Sequence, residues 1–279
     1  MTNVYEEQII SPGRTLSELM IKRGLSQLEL TSRLGISAKE VSEILSGRKP
    51  IDAHIAEQLS FIFEFDAIYW SNLQKEYDAF IEREKTYEDI TNVEIKALSE
   101  IPIENLKQRQ YILNYPEEPK EQVIYMRKFF RISNLLNIWS TLENSYHFKS
   151  KFPYNPYELA SWMSMVYLNY EKTGELGDND ITNVRKIIPL LKTWADLTIN
   201  EIIEKATEYL NKCGVFFITL AQFKNAPVRN YIKNINGQII LAVGLRVRTV
   251  DYFIRSVAIG IGNLLTNRVE RGLIDFEPL

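Results

Sequence analysis

Across residues 26–50, apolar and polar positions recur with the period of a helix in two short runs. Leu28, Leu30 and Leu34 give the first run an apolar face, and Val41, Ile44 and Leu45 do the same for the second. Ser26 and Ser37 stand at the two starts, where a side-chain oxygen accepts from the free backbone N–H groups of a new helix. Between the runs, Gly35 supplies a tight left-handed turn that sets two helices at a steep angle. The pattern predicts a helix-turn-helix, a unit whose second helix normally lies in the DNA major groove. An αα-hairpin that only packs is the bland alternative. The doubled caps, the glycine turn and the trailing Gly47-Arg48-Lys49 favour the first reading.

The same periodicity continues. Residues 52–63 form a further helix carrying Ile55, Leu59 and Ile62, and Asp66 caps a longer one to about residue 85 with Ile68, Trp70, Leu73, Tyr77 and Phe80. Five helices make a compact all-α domain over residues 1–90. Residues 91–118 look like a polar helical connector ending in Pro-Glu-Glu-Pro, and residues 119–279 are expected to form a second domain. Helices are predicted there over 120–131, 133–142, 156–172, 179–197 (interrupted by Pro189) and 198–213. The period then shortens. Residues 215–220, 228–233 and 238–243 read as strands, Asn236-Gly237 marks a hairpin turn, and a last helix spans 249–269. The expected fold class is mainly α, with a five-helix N-terminal domain and an α+β second domain built on a small antiparallel sheet.

Composition narrows the picture. The 279 residues are 45% hydrophobic, enough for a sizeable core, and the single cysteine, Cys213, excludes an internal disulfide. The opening residues lack an apolar signal core, and no run approaches the ~20 apolar residues that span a bilayer. These features predict a cytoplasmic protein with no membrane partner. Net charge is −3, unlike that of a protein coating nucleic acid without specificity. Residues 11–50 nevertheless hold seven basic side chains against four acidic ones, which suits a dimer gripping a short operator.

Three further segments carry a resemblance. Pro12-Gly13, Ser46-Gly47-Arg48-Lys49-Pro50-Ile51 and Trp70-Ser71-Asn72-Leu73-Gln74 sit in an order similar to HigA-type antitoxins, a branch of the Xre/Cro-like regulators, over nearly all of residues 9–85. The resemblance implies a homodimeric repressor of its own promoter that also neutralises a RelE/HigB-like toxin by protein contact. Residues 120–270 resemble the ImmA/IrrE-type domain at Arg127-Lys128-Phe129-Phe130, at Pro156 to Trp162, and at Cys213-Gly214-Val215. Active members carry Ala-His-Glu-x-Gly-His on the last helix, two histidines holding zinc and the glutamate activating water. Here the two histidine positions fall on Ile259 and Asn263 and the glutamate position on Gly260. The two histidines of the chain, His54 and a loop His147, do not replace them, and Glu270 or Asp275 would hold zinc poorly unaided. The expectation is a degenerate peptidase scaffold that is not an enzyme and has neither metal nor cofactor.

At the expected interface, Ser26 and Ser37 cap, and Ala38, Lys39, Ser42 and Glu43 face base edges. Lys39 would donate to guanine, while Glu40 or Glu43 would accept from cytosine. Gln27, Arg48 and Lys49 would meet phosphates of the duplex. Gly260 and Gly262 suggest close helix approach, and the aromatic stripe Trp162, Tyr167, Tyr170 reads as core rather than as a ligand box. A stand-alone Xre-family regulator, whose second domain senses a ligand or partner, is the competing functional class.

Overall fold

The computed structural model describes residues 10–149, 153–173, 176, 178, 180–245, 249–266 and 272–277. The chain forms two units, with the boundary after Ile90.

The first unit contains α1 (Pro12–Arg23), α2 (Gln27–Leu34), α3 (Ala38–Leu45), α4 (Ala53–Phe63) and α5 (Ala67–Glu88). One core joins them: Leu16 and Met20 of α1, Leu30 and Leu34 of α2, Val41 and Ile44 of α3, Ile55, Leu59 and Phe63 of α4, and Trp70 of α5. Each such side chain contributes about 1.5–3 kcal/mol when removed from water. Leu28 departs from the expected apolar face and is 73% exposed. It lies two residues from Leu30, and positions two apart on a helix do not share a side. Helix α5 likewise buries only Trp70, with Ile68 turned outward, and Asp66 makes no capping hydrogen bond.

The segments singled out in the sequence have structural reasons here. Ser11 caps α1 by accepting from the Arg14 N–H at 3.3 Å, and Pro12 follows in the first turn, where its missing N–H leaves nothing unpaired. A Cβ on Gly13 would overlap the Ile44 carbonyl oxygen, so α1 approaches the end of α3 only because residue 13 is glycine. Gln74 reaches back from α5, its Oε1 accepting from the Ile51 N–H at 2.9 Å just beyond the recognition segment.

The second unit begins earlier than expected. Its helices are α6 (Asn92–Ala97), α7 (Ile103–Gln108), α8 (Pro119–Phe130), α9 (Ile138–Ser145), α10 (Pro156–Thr173), α11 (Ile181–Arg185), α12 (Ile187–Thr193), α13 (Ile199–Lys212) and α14 (Val250–Thr266). Residues 91–118 are therefore part of this unit and not a connector. Leu106 and Ile112 are buried, and the fully buried Glu94 pairs twice with Arg127, at 2.6 and 2.8 Å, and accepts from the Leu135 N–H. The break in the 179–197 region falls at Lys186, ahead of Pro189, because a proline in the first turn of α12 is tolerated.

Among the described residues, five strands form one sheet: β1 (Tyr146–Phe148), β2 (Val215–Ala221), β3 (Val228–Ile235), β4 (Gln238–Leu245) and β5 (Gly272–Phe276). Their order is β1-β5-β3-β4-β2. The sheet is mixed, not antiparallel as expected: β3 runs antiparallel to β4 and β5, while β1–β5 and β2–β4 are parallel. Asn236 and Gly237, both at positive φ, close the β3–β4 hairpin with Ile235 facing Gln238. Alternate side chains leave opposite faces of the sheet. Val215, Phe217, Ile232, Leu241 and Val243 join a core with α11–α14. On the other face, Trp162 of α10 meets Tyr231 and Tyr170 meets Phe216.

Candidate nucleic-acid interface

Helices α2 and α3 are fixed at their starts by the same device used twice. Ser26 Oγ accepts from the Glu29 N–H, and Glu29 returns a carboxylate oxygen to the Ser26 N–H at 2.8 Å. Ser37 and Glu40 repeat the arrangement on α3. These are capping boxes, each satisfying two backbone donors that a helix start leaves open. The Ser-x-x-Glu spacing at 26–29 and 37–40 carries this signal in the sequence itself. Gly35 connects the helices at φ +66°, its N–H bonded to the Thr31 carbonyl at 3.0 Å. The Gln27 amide spans the corner and donates to the Ala38 carbonyl at 3.3 Å.

Helix α3 thus presents one locked and one open side. Val41 and Ile44 are buried, whereas Ser37, Ala38 and Lys39 are exposed and Ser42 and Glu43 are half-buried. Ser26 and Gln27, at the start of α2, are also exposed, so the beginnings of both helices form one accessible surface. Lys39 is 84% exposed and lies 3.8 Å from Glu43, a surface pairing that contributes at most about 1 kcal/mol. Its ammonium remains available to a stronger anion. Arg48 is exposed, and its guanidinium makes no ion pair with a described residue.

Glu40 and Lys49 are placed differently. One Glu40 oxygen serves the capping box and the other takes the Lys49 ammonium at 2.7 Å. The Lys49 hydrogen bond, then the Ser37 N–H and hydroxyl, hold the Glu40 carboxyl down at about 2, and Lys49 is raised in return, chiefly by that same bond. Both groups are committed inside the motif.

In the second unit, Ile259, Gly260 and Asn263, the expected peptidase-motif positions, lie on α14, which packs on β3 and β4. Ile259 is half-buried. Gly260 packs so closely on Asn230 that a Cβ would overlap its Oδ1. Gly262 has open space around it, so only Gly260 fulfils the close-approach reading. Asn263 is buried, accepts from Lys149 and faces Asp275 at 3.5 Å. Asp275 is itself held by Arg229 at 2.6 Å. Both amide atoms of Asn230, fully buried, lack a hydrogen-bond partner among the described residues. An amide, a glycine and a carboxylate already neutralised by arginine do not make a zinc site, which needs about three imidazole, thiolate or free carboxylate ligands. Among the described residues, no three His, Cys, Asp or Glu side chains stand together to hold a metal. Glu270 lies outside the described residues. His147 sits exposed on β1 and not in a loop, paired in register with Leu273, and His54 is exposed on α4. Cys213 is buried at the end of α13, where burial pushes its thiol up.

Several solved structures are similar to part of this chain. An addiction-module antidote protein of the HigA family from Coxiella burnetii is 31% identical, covering 29% of this chain and 95% of its own, with a TM-score of 0.26. Pseudomonas aeruginosa antitoxin HigA, solved with the higBA promoter, is 31% identical over 30% of this chain and 96% of its own, with a TM-score of 0.26. Another Pseudomonas aeruginosa protein, in complex with its 18 bp operator DNA, is 34% identical over 25% of this chain and 76% of its own, with a TM-score of 0.25. With TM-scores this low, the matches describe a short shared region and not the whole chain. The chain matches no protein-family profile and no curated protein.

Proposed function

We propose that the first unit reads a double-stranded DNA operator and that the protein is an antitoxin repressing its own promoter. The observation that carries this reading is the two-sided character of α3: Val41 and Ile44 fix its inner side, while Ala38, Lys39 and Ser42 line an open outer side flanked by Arg48. A short helix held rigidly at its start, with small and cationic groups outward, has the form needed to enter a major groove. Lys39 then reads guanine, Ser42 and Glu43 stand beside it, and Gln27 and Arg48 take phosphates. Glu40 and Lys49 support the reading helix from within, since each already holds the other.

The test is a gel-shift assay of the full chain on duplex DNA from its own promoter. Lys39→Glu with Arg48→Glu is expected to abolish the shift, and wild-type binding should fall with salt. Arg48→Glu alone, which removes one phosphate-facing cation, should lower the logarithmic salt slope by about 1. Unchanged binding by the double variant removes the DNA-contact assignment.

The likeness of residues 9–85 to HigA-type antitoxins supports a toxin partner of RelE/HigB type, and the same likeness supports a homodimer. The second unit acts in this reading as a non-catalytic body, because the chemical groups of zinc hydrolysis are replaced by Ile259, Gly260 and Asn263. A short toxin-like reading frame beside the gene, whose product co-purifies with this chain, supports the antitoxin. A second reading, a stand-alone regulator with a ligand-sensing second unit, is favoured by a cavity between α8–α10 and the sheet. It predicts no such toxin partner.

A further inference from the structure

The second unit contains a cavity of about 300 Å³ bounded by α8, α9, α10, β1 and β3. Phe129, Ile138, Leu142, Met163 and Leu168 make most of its wall apolar. Tyr167, one of the aromatic stripe expected to be core, lines this space instead, while Trp162 of the same helix is fully buried.

One end of the cavity is polar and cationic. Lys233 Nζ donates to the Tyr146 hydroxyl at 3.0 Å and lies 4.9 Å from the centre of the Tyr146 ring. Tyr231, only 3% exposed, stands beside Tyr146 with ring centres 5.9 Å apart. The other cation on the wall, Arg131, is already answered: it pairs with Glu171 at 2.6 Å and lies over the Tyr167 ring at 4.3 Å. Lys233 has no carboxylate partner among the described residues. An ammonium set against largely apolar and aromatic walls, hydrogen-bonded to a phenol and facing no carboxylate among the described residues, favours a single negative charge carried on an apolar body.

From this geometry we propose that the cavity binds a small aryl-alkyl carboxylate, its carboxylate on Lys233 Nζ and the Tyr146 hydroxyl and its ring against Tyr167 and the apolar wall. The volume stands at the lower limit of small-molecule pockets, which run from about 300 to 1,000 Å³. A nucleotide needs more room and more than one unpaired cation. An amine would bring like charge to Lys233, and a neutral hydrocarbon would strip water from the ammonium without replacing it. The proposal is independent of DNA binding, since all its residues belong to the second unit.

The test is calorimetric titration of the full chain with 4-phenylbutyrate, 4-phenylbutan-1-ol and 4-phenylbutylamine, with circular dichroism melts checking that each variant is folded. The acid is expected to bind at least tenfold more tightly than the alcohol, and the amine not at all. Lys233→Met should bring the acid down to the affinity of the alcohol without moving the alcohol. Ala160→Leu, which fills the chamber from α10, should abolish both. Equal affinity for acid and alcohol, acid binding unchanged by Lys233→Met, or no heat and no thermal shift with acid at about 1 mM each overturns the proposal. If Lys233→Met does not fold, the comparison of acid with alcohol on the wild-type chain decides alone.

Discussion

Gly13 and Glu40 each help to hold α3 in place, one by close approach to the end of that helix and one by pairing with Lys49. Any side chain at 13 meets the carbonyl oxygens of Ile44 and Leu45, so Gly13→Ala must push α1 away from the end of α3. Overpacking of this kind costs about 1–3 kcal/mol, and urea unfolding of the first unit should show that loss. Glu40 adds a pH dependence. Its folded carboxyl is held at about 2, below the ordinary value of 4.5, mainly by Lys49 and then by Ser37. A depressed carboxylate stabilises above its unfolded value and loses that contribution as pH falls towards its folded value. The stability difference between wild type and Glu40→Gln should therefore be present at neutral pH and shrink between pH 4.5 and about 2. A difference that stays constant through that window contradicts the assigned pairing. The two serine caps and the glycine turn were legible in the sequence because capping is local chemistry. The Glu40–Lys49 pair was not, because nine residues separate its members and only the turn after α3 brings them together.

At the scale of elements, helix starts were readable and strand partners were not. Ser37, Asp52 and Thr198 each cap within three residues of their bonding partner, so a short window contains the whole signal. The hairpin at Asn236-Gly237 is equally local. The parallel pairing of β2 with β4 skips over β3 in the chain, and β1 pairs with β5 across more than one hundred residues. Nothing in three residues such as Tyr146–Phe148 announces such a partner, and the buried Asp275 disguises β5. Residues 91–118 read as a connector for a related reason: their polar composition hides Glu94, which is buried against Arg127. Burial pushes the Glu94 carboxyl up, but the Arg127 and Leu135 hydrogen bonds outweigh it and hold it below the ordinary range. Arg127→Met leaves that carboxylate alone in the interior and should destabilise the second unit by about 3–5 kcal/mol, read as an earlier unfolding transition in urea. Replacing both partners together, as Glu94→Leu with Arg127→Met, should recover much of the loss.

At the scale of the whole molecule, the chain joins a helical unit, proposed above to read DNA, to an α+β unit in which Ile259, Gly260 and Asn263 stand where a zinc-peptidase motif was expected. No helix among the described residues is long and apolar enough to cross a membrane. Phe61 and Ile68 are 77% and 71% exposed on α4 and α5, and Phe65 stacks on Tyr69. If the proposed homodimer uses these side chains, Phe61→Glu with Ile68→Glu should lower the sedimentation coefficient to that of a monomer and weaken binding to a two-fold operator more than to a half-site. Unchanged sedimentation rules this area out as the dimer contact. The most direct measurement of the central claim is amide hydrogen exchange of the full chain with and without duplex DNA from its own promoter. Protection concentrated in residues 26–29 and 37–49 is the predicted result. Tight binding without added protection there, or with protection confined to residues 91–279, contradicts the account.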